Sequence, residues 1–218
     1  ADGHLPGPSG RPLKEAIFLR EILLHACCGP CSTFTTTQLL AEGVRPVLFF
    51  ANPNIHPYRE YEARREAFLT LARLRGVPTF LEPDYDPEEF FRRVSFHEDE
   101  RCRYCYELRL TRAAAKAREL GLDTFSTTLL ISPYQDRELL LAIGQRVAEE
   151  HGLTFLAADW RAGFRAAQAE AAQLGLYRQK YCGCLYSERE RFRKKRPAER
   201  SNPSEEATMI WAFTGRRG

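Results

Sequence analysis

The chain has 218 residues, 44% of them hydrophobic, and a formal net charge of +3. That is enough for one α/β domain with a core of its own. No apolar run approaches the roughly 20 residues of a membrane-spanning helix, and seven cysteines are an odd number for a disulfide-stapled secreted module. The first residues lack the charged-then-apolar pattern of a secretion signal, so the expectation is a cytoplasmic protein without membrane association.

In chain order, residues 1–15 begin with the Gly- and Pro-rich ADGHLPGPSGRP and read as a disordered tail or an expression remnant. A single catalytic domain is expected over 16–196 and a weakly ordered tail over 197–218. Arg20 to Ala26 reads as a buried strand. A helix follows from Thr33 to about Glu42, closed by Gly43. Val44 to Asn52 is the next strand, 58–76 a long helix stopped by Gly76, and VPTFLEP (77–83) a third strand. Cys102 to Gly121 is a helix, 123–129 a strand, and 132–152 a helix with Pro133 near its start. LTFLAADW (153–160) is a strand, and a last helical stretch covers about Gly163 to Leu174. This alternation predicts a Rossmann-like α/β fold, a parallel sheet flanked by helices. Sites in such sheets lie at the carboxyl ends of the strands.

The cysteines fall in three groups: Cys27, Cys28 and Cys31; Cys102 and Cys105; Cys182 and Cys184. Clustered thiols in a cytosolic protein point to metal or redox chemistry. Cys102 and Cys105 at i, i+3 share one helix face and suit structural zinc, a redox pair or cluster ligands. Cys182-Gly183-Cys184 at i, i+2 puts both side chains on one side of an extended loop, as ligands or as a strained, redox-active disulfide. Four thiolates satisfy one 4Fe–4S cluster or one zinc, so seven leave three over.

Other polar groups fall at predicted strand ends. NPNIHP contributes Asn52, Asn54 and His56 on a rigid turn. Ser126, Thr127, Thr128, Ser132 and Tyr134 suit phosphate or ribose contact, or helix capping. Asp84, Asp86 and Asp159 are candidate acids or caps. Tyr104, Tyr106, Tyr181 and Tyr186, with Arg101, Arg103, Arg109 and Lys180, make a basic-aromatic set suited to looped RNA. RERFRKKR, 189–196, holds six basic side chains in eight and reads as a solvated helix face or a phosphate contact.

Taken together, LLHACCGPCS, NPNIHPYREYEAR, CRYCYELRL, TTLLISPYQD, DWRAGFR and LYRQKYCGCLYS resemble the QueH type of epoxyqueuosine reductase, from about Ile22 to Ser187. The resemblance implies an oxidoreductase that reduces epoxyqueuosine to queuosine at the wobble base of certain tRNAs without cobalamin, the last step of queuosine biosynthesis. It implies a fold akin to the PP-loop group, a 4Fe–4S cluster and an adjacent mononuclear iron. By that match Cys27, Cys28, Cys102 and Cys105 hold the cluster. Cys31, Cys182 and Cys184 serve the second iron, or the last two form a redox-active disulfide. Cys31 stands where some relatives carry Asp.

The implied reaction takes two electrons and two protons and releases the epoxide oxygen as water. Cys31, Cys182 and Cys184 are the expected redox groups, and Asp84, Asp86, Asp159, His56 and Tyr181 the acids to examine, with Asp84 and Tyr181 foremost. Asn52, Asn54, His56, Tyr134, Arg101, Arg103, Arg109 and Lys180 are the expected contacts to the tRNA anticodon loop. A ferredoxin- or flavodoxin-type protein is the expected electron donor. Two rivals share the motifs. A PP-loop iron–sulfur tRNA thiolation enzyme needs a phosphate loop rich in amides, where CCGPCS has one Gly and a Pro without an N–H. A zinc-stabilised RNA-binding module needs no chemistry. A thiol oxidoreductase built on Cys102 and Cys105 is a third.

Overall fold

The structure, a computed structural model, describes residues 20–193. The predicted tails 1–15 and 197–218, and residues 194–196 of the basic run in 189–196, lie outside the described residues. A five-stranded, fully parallel sheet runs in the order β3-β2-β1-β4-β5. Its strands are β1 (Arg20–His25), β2 (Val44–Phe50), β3 (Thr79–Leu81), β4 (Thr124–Thr127) and β5 (Thr154–Phe155). The inner strands are buried on both faces: Ile22, Leu23, Leu24, Leu48, Phe50 and Phe125 are fully enclosed. Such continuous apolar runs are what a parallel sheet covered on two faces requires.

The helices are α1 (Gly29–Ala41), α2 (Tyr58–Arg75), α3 (Glu88–Val94), α4 (Arg101–Glu119), α5 (Arg137–His151), α6 (Phe164–Gln173) and α7 (Leu185–Phe192). α1 packs on α2 and α6, and α4 packs on α5. The chain winds outward from β1 to β3, then crosses back to β4 and on to β5. With right-handed crossovers, the two directions place their helices on opposite faces. The reversal lies between β1 and β4, and a doubly wound sheet opens its crevice at that point.

The structure moves several sequence boundaries. α1 starts at Gly29, not Thr33. Cys28 caps it, accepting the Cys31 amide at 3.3 Å, and Pro30 sits in the first turn, where no intrahelical N–H is required. Cys31 therefore belongs to a helix rather than to a loop. α5 starts at Arg137, not 132. Asp136 accepts the Leu139 amide at 3.1 Å, and the strand expected over 123–129 ends at Thr127, where a 3-10 turn over Thr128–Ile131 begins. β3 is shortened between Pro78 and Pro83, neither of which donates to a ladder. β5 is two residues long, well short of 153–160. α3 and α7 are helices that the strand–helix count does not include. Both carry acidic residues in the first turn and arginines in the last.

Gly29 marks the closest approach of α1 to α2. A Cβ there falls 2.7 Å from the backbone carbon and oxygen of Ala67, and backbone cannot move aside as a side-chain tip can. Gly29→Ala is expected to destabilise the protein by about 1–3 kcal/mol through overpacking, read as a lower urea midpoint. An unchanged midpoint contradicts this packing.

Candidate metal centre and substrate cavity

β1 delivers its chain to the crevice through His25. This ring is fully buried, with Nδ1 2.9 Å from Thr127 Oγ1 on β4 and Nε2 3.2 Å from the Ala51 carbonyl after β2. Burial, then the positive charge of Arg109, lowers its pKa to about 4. The neutral ring thus ties together the ends of three strands. Asn52 adds a bond from Nδ2 to the Ala26 carbonyl at 2.8 Å.

Immediately beyond, the sulfurs of Cys27, Cys28 and Cys31 all lie within 4.8 Å of one another, and all three residues are buried. Cys27 Sγ and Cys28 Sγ are 3.7 Å apart. Thiolates at about 2.3 Å on a tetrahedral ion stand about 3.8 Å from each other. The spacing and the donor chemistry therefore fit a single thiophilic metal ion. Hydrogen bonds shared with Cys28 and then Cys31 hold the Cys27 thiol well below its ordinary pKa, against the opposing effect of burial. Thr128 strengthens this: its hydroxyl accepts the Cys27 amide at 2.9 Å and donates to Cys27 Sγ at 3.2 Å. Burial pushes Cys28 up, and the Cys27 and Cys28 sulfurs push Cys31 up. A sulfur that gives up its proton readily beside two that hold theirs makes a ligand set whose protons a metal would displace on binding.

The other four cysteines lie close enough to act on one another, since Cys182, Cys184 and Cys102 all bear on Cys105. Cys105 and Cys184 pack in one small core with Phe90, Val94 and Leu108. Burial raises Cys105 to about 12 and also raises Cys102, with Cys182 and Cys184 adding to both. Arg109 is 1% exposed and donates from Nη2 to Cys105 Sγ at 3.0 Å. Burial opposes its charge, and the neighbouring sulfurs of Cys105, Cys182 and Cys27 favour it whenever they ionise. One guanidinium thus faces both thiol groups.

The CxC loop is docked by buried polar bonds. Arg64, 2% exposed, donates Nη1 to the Cys182 carbonyl at 2.7 Å and Nη2 to the Tyr181 carbonyl at 3.0 Å. Glu60 neutralises it at 2.7 Å, and Tyr177 donates its hydroxyl to the other Glu60 oxygen. The His56 amide donates to the Gly183 carbonyl at 2.8 Å, and the Tyr181 hydroxyl to the His56 carbonyl at 2.6 Å.

A cavity of about 640 Å³ opens between the groups and is lined by Cys27, Cys31, Cys182, Ser132, Tyr134, Gln135, Gln179, Lys180, Tyr181 and Arg191, among others. Tyr134 stands at its rim, 83% exposed, edge-on to Phe164 at 5.8 Å.

The predicted residues separate accordingly. Tyr134 and Lys180 line the cavity and are accessible, as RNA contacts need to be. Arg101 and Arg103 lie near the surface, paired with Glu190 and with Glu100 and Glu107. Asn52, Asn54, His56 and Arg109 are corrected from RNA contacts to interior scaffold, because each is at most 3% exposed. His56 stacks on Phe91 at 4.4 Å, and burial lowers its pKa to about 4. Among the acids, Asp159 is ion-paired with Arg161 at 2.6 Å and held well below the carboxylate range by that hydrogen bond. Asp84 is exposed, and neither it nor Asp86 lines the cavity. Tyr181 does line it, but its proton is committed to His56 and burial pushes its phenol up. Thr127 and Thr128 serve the β1 loop rather than a phosphate. The sequence reading misses His25, Glu60, Arg64, Gln135 and Gln179. The two glutamines lie within the quoted motifs TTLLISPYQD and LYRQKYCGCLYS, but neither carries a charge or a ligand atom that composition singles out.

Replacing Arg64 by Met leaves the Glu60 carboxylate buried without its cation, which is expected to cost about 3–5 kcal/mol in urea unfolding. The double variant R64M/E60Q should recover part of that loss. Equal loss in both variants contradicts the ion-pair account.

Residues 22–190 match the family model described as epoxyqueuosine reductase QueH. Similar curated proteins bear the same name. One from Dehalococcoides mccartyi is 38% identical over 174 residues, covering 80% of this chain and 96% of its own length. One from Streptococcus pyogenes is 37% identical over 181 residues, covering 77% and 70%. One from Histophilus somni is 35% identical over 178 residues, covering 78% and 73%. On this match of motif, order and extent, the chain belongs to the epoxyqueuosine reductase QueH family, a family of oxidoreductases.

Proposed function

We propose that this chain reduces epoxyqueuosine to queuosine at the wobble position of tRNA, using iron held by its seven cysteines. The observation that carries the iron is the sulfur triad of Cys27, Cys28 and Cys31, spaced for one ion, with Cys27 and Cys31 lining the same cavity as Cys182. A 4Fe–4S cluster and a neighbouring iron, when bound, supply electrons singly and a Lewis-acidic position for oxygen. Family membership does not favour the tRNA thiolation or zinc-module readings.

The chain's own residues supply the rest. The cavity receives the turned-out base, since a modified base is reached only outside its stack. Tyr134 at the cavity rim offers a face for a nucleobase, and Lys180 and Arg191 offer positive charge to the backbone. Lys180 and Tyr134 are proton-bearing groups of the cavity wall, and they replace the aspartates as first candidates to deliver protons. Electrons come from an external ferredoxin- or flavodoxin-type donor. Among the described residues no helix is long and apolar enough to cross a membrane.

The sequence match assigns the cluster to Cys27, Cys28, Cys102 and Cys105, and the second iron to Cys31, Cys182 and Cys184. The spatial grouping favours a second partition. In it the triad holds the single iron, and Cys102, Cys105, Cys182 and Cys184 hold the cluster. Cys28→Ala and Cys184→Ala separate the two. In the spatial partition C184A loses the cluster's visible absorbance and C28A keeps it while losing about one iron per chain. The opposite pattern supports the sequence partition.

The function is tested by anaerobic incubation of iron-loaded protein with a reductant and tRNA carrying epoxyqueuosine, followed by mass spectrometry of the nucleosides. Queuosine is expected in place of its epoxide. Fully iron-loaded protein that leaves the epoxide intact contradicts the proposal.

A further inference from the structure

The cavity walls carry two side-chain amides that the proposed reduction does not use, and both point at sulfur. Gln179 donates from Nε2 to Cys28 Sγ at 2.9 Å and reaches Cys31 Sγ at 3.8 Å. Its Oε1 is buried with no hydrogen-bond partner among the described residues. An amide that leaves its oxygen unsatisfied while turning its nitrogen to sulfur forfeits stability at that position, since a buried unpaired carbonyl is unfavourable. Gln135, also on the cavity lining, makes a similar contact to the other cysteine group. Its Nε2 lies 3.4 Å from Cys182 Sγ, and its Oε1 is fixed by the Tyr106 hydroxyl at 2.9 Å. Tyr106 is itself fixed, accepting the Asp136 amide at the start of α5 at 3.2 Å. Gln135 is thus oriented by two packed helices, α4 and α5, and not by chance rotamer.

We infer that Gln179 and Gln135 are positioning residues that set the electron affinity of the two sulfur-ligated centres, each by an N–H···S bond to a ligand thiolate. The inference rests on the iron reading above. An N–H donor draws negative charge from thiolate sulfur, so it stabilises the reduced centre more than the oxidised one when reduction adds negative charge. Each donor here is neutral. It therefore shifts the potential without competing for the ligand as a second cation would. Gln179 also lies three residues before Cys182, so one short segment sets a donor on the triad and places a ligand in the other group. Movement of that segment bears on both centres together.

The test is a dye-mediated redox titration of anaerobically iron-loaded wild type, Gln179→Leu, Gln179→Glu and Gln135→Leu, followed by absorbance and electron paramagnetic resonance. Iron and sulfide content are measured on the same samples. Both leucine variants are expected to keep wild-type iron content and to shift a midpoint to more negative potential. Q179L shifts the centre bound by Cys28, which in the spatial partition is also that of Cys31, and Q135L the centre bound by Cys182. Q179E, nearly isosteric but without the amide donor, is expected to shift at least as far in the same direction. It carries the reading for Gln179 if the leucine variant loads iron poorly. Unchanged midpoints in iron-loaded variants overturn the inference while leaving the iron reading intact. Wild-type protein that takes up no iron overturns the iron reading itself, so the two failures are distinguishable.

Discussion

Burying sulfur that must carry negative charge is the constraint on which the rest of this structure depends. A thiolate without compensation is expelled from a protein interior, or simply takes up a proton. Here five of the seven cysteines are buried. The fold compensates them with dipoles. Cys28 caps α1 and Cys31 lies in its first turn, and Cys184 caps α7. The amino end of each helix favours negative charge beside it. Arg109 adds a full positive charge that bears on sulfurs of both groups, and ionised sulfur in turn makes that guanidinium tolerable in the core.

This arrangement follows from topology as much as from residue choice. The reversal of strand order between β1 and β4 opens a crevice, and the chain lays the first cysteine loop there. His25, Thr127 and Thr128 then lock the β1 and β4 exits together at the level of the sulfurs. The CxC loop arrives late in the sequence, after α6, and is not part of the sheet. It is held by Arg64, which contacts its carbonyls and leaves its sulfurs free. Binding a loop by its backbone in this way fixes position without consuming ligands. The cavity is the space left between a sheet-borne wall and a docked wall, so cysteines distant in sequence face one volume.

Much of this was legible in the residues. Alternating apolar runs and helix stops predict the parallel sheet, and β1, β2 and α2 fall close to their predicted spans because their patterns are long. The start of α1 was less clear because cysteine is an unusual cap, although Pro30 was a signal for a first turn. The cysteine groups were visible as a metal constellation, but their spatial association was not. Spacing within each group says nothing about which groups meet. The buried roles of Asn52, Asn54, His56 and Arg109 were hidden for a related reason. Polar residues near a predicted site read as surface contacts, and only burial shows that they support loops from within. Gln135 and Gln179 went unnoticed because an amide earns significance from what it points at.

The central claim is that the carboxyl end of β1, with α4 and the CxC loop, presents sulfur to bind iron beside a base-sized cavity. The most direct measurement is anomalous diffraction at the iron edge from anaerobically prepared, iron-loaded crystals. The account predicts two iron sites, a four-iron cluster and a single ion, one of them bonded to Cys27, Cys28 and Cys31 at about 2.3 Å and both bordering the cavity. Anomalous density that is absent at the iron edge, or that places iron away from these sulfurs, contradicts it.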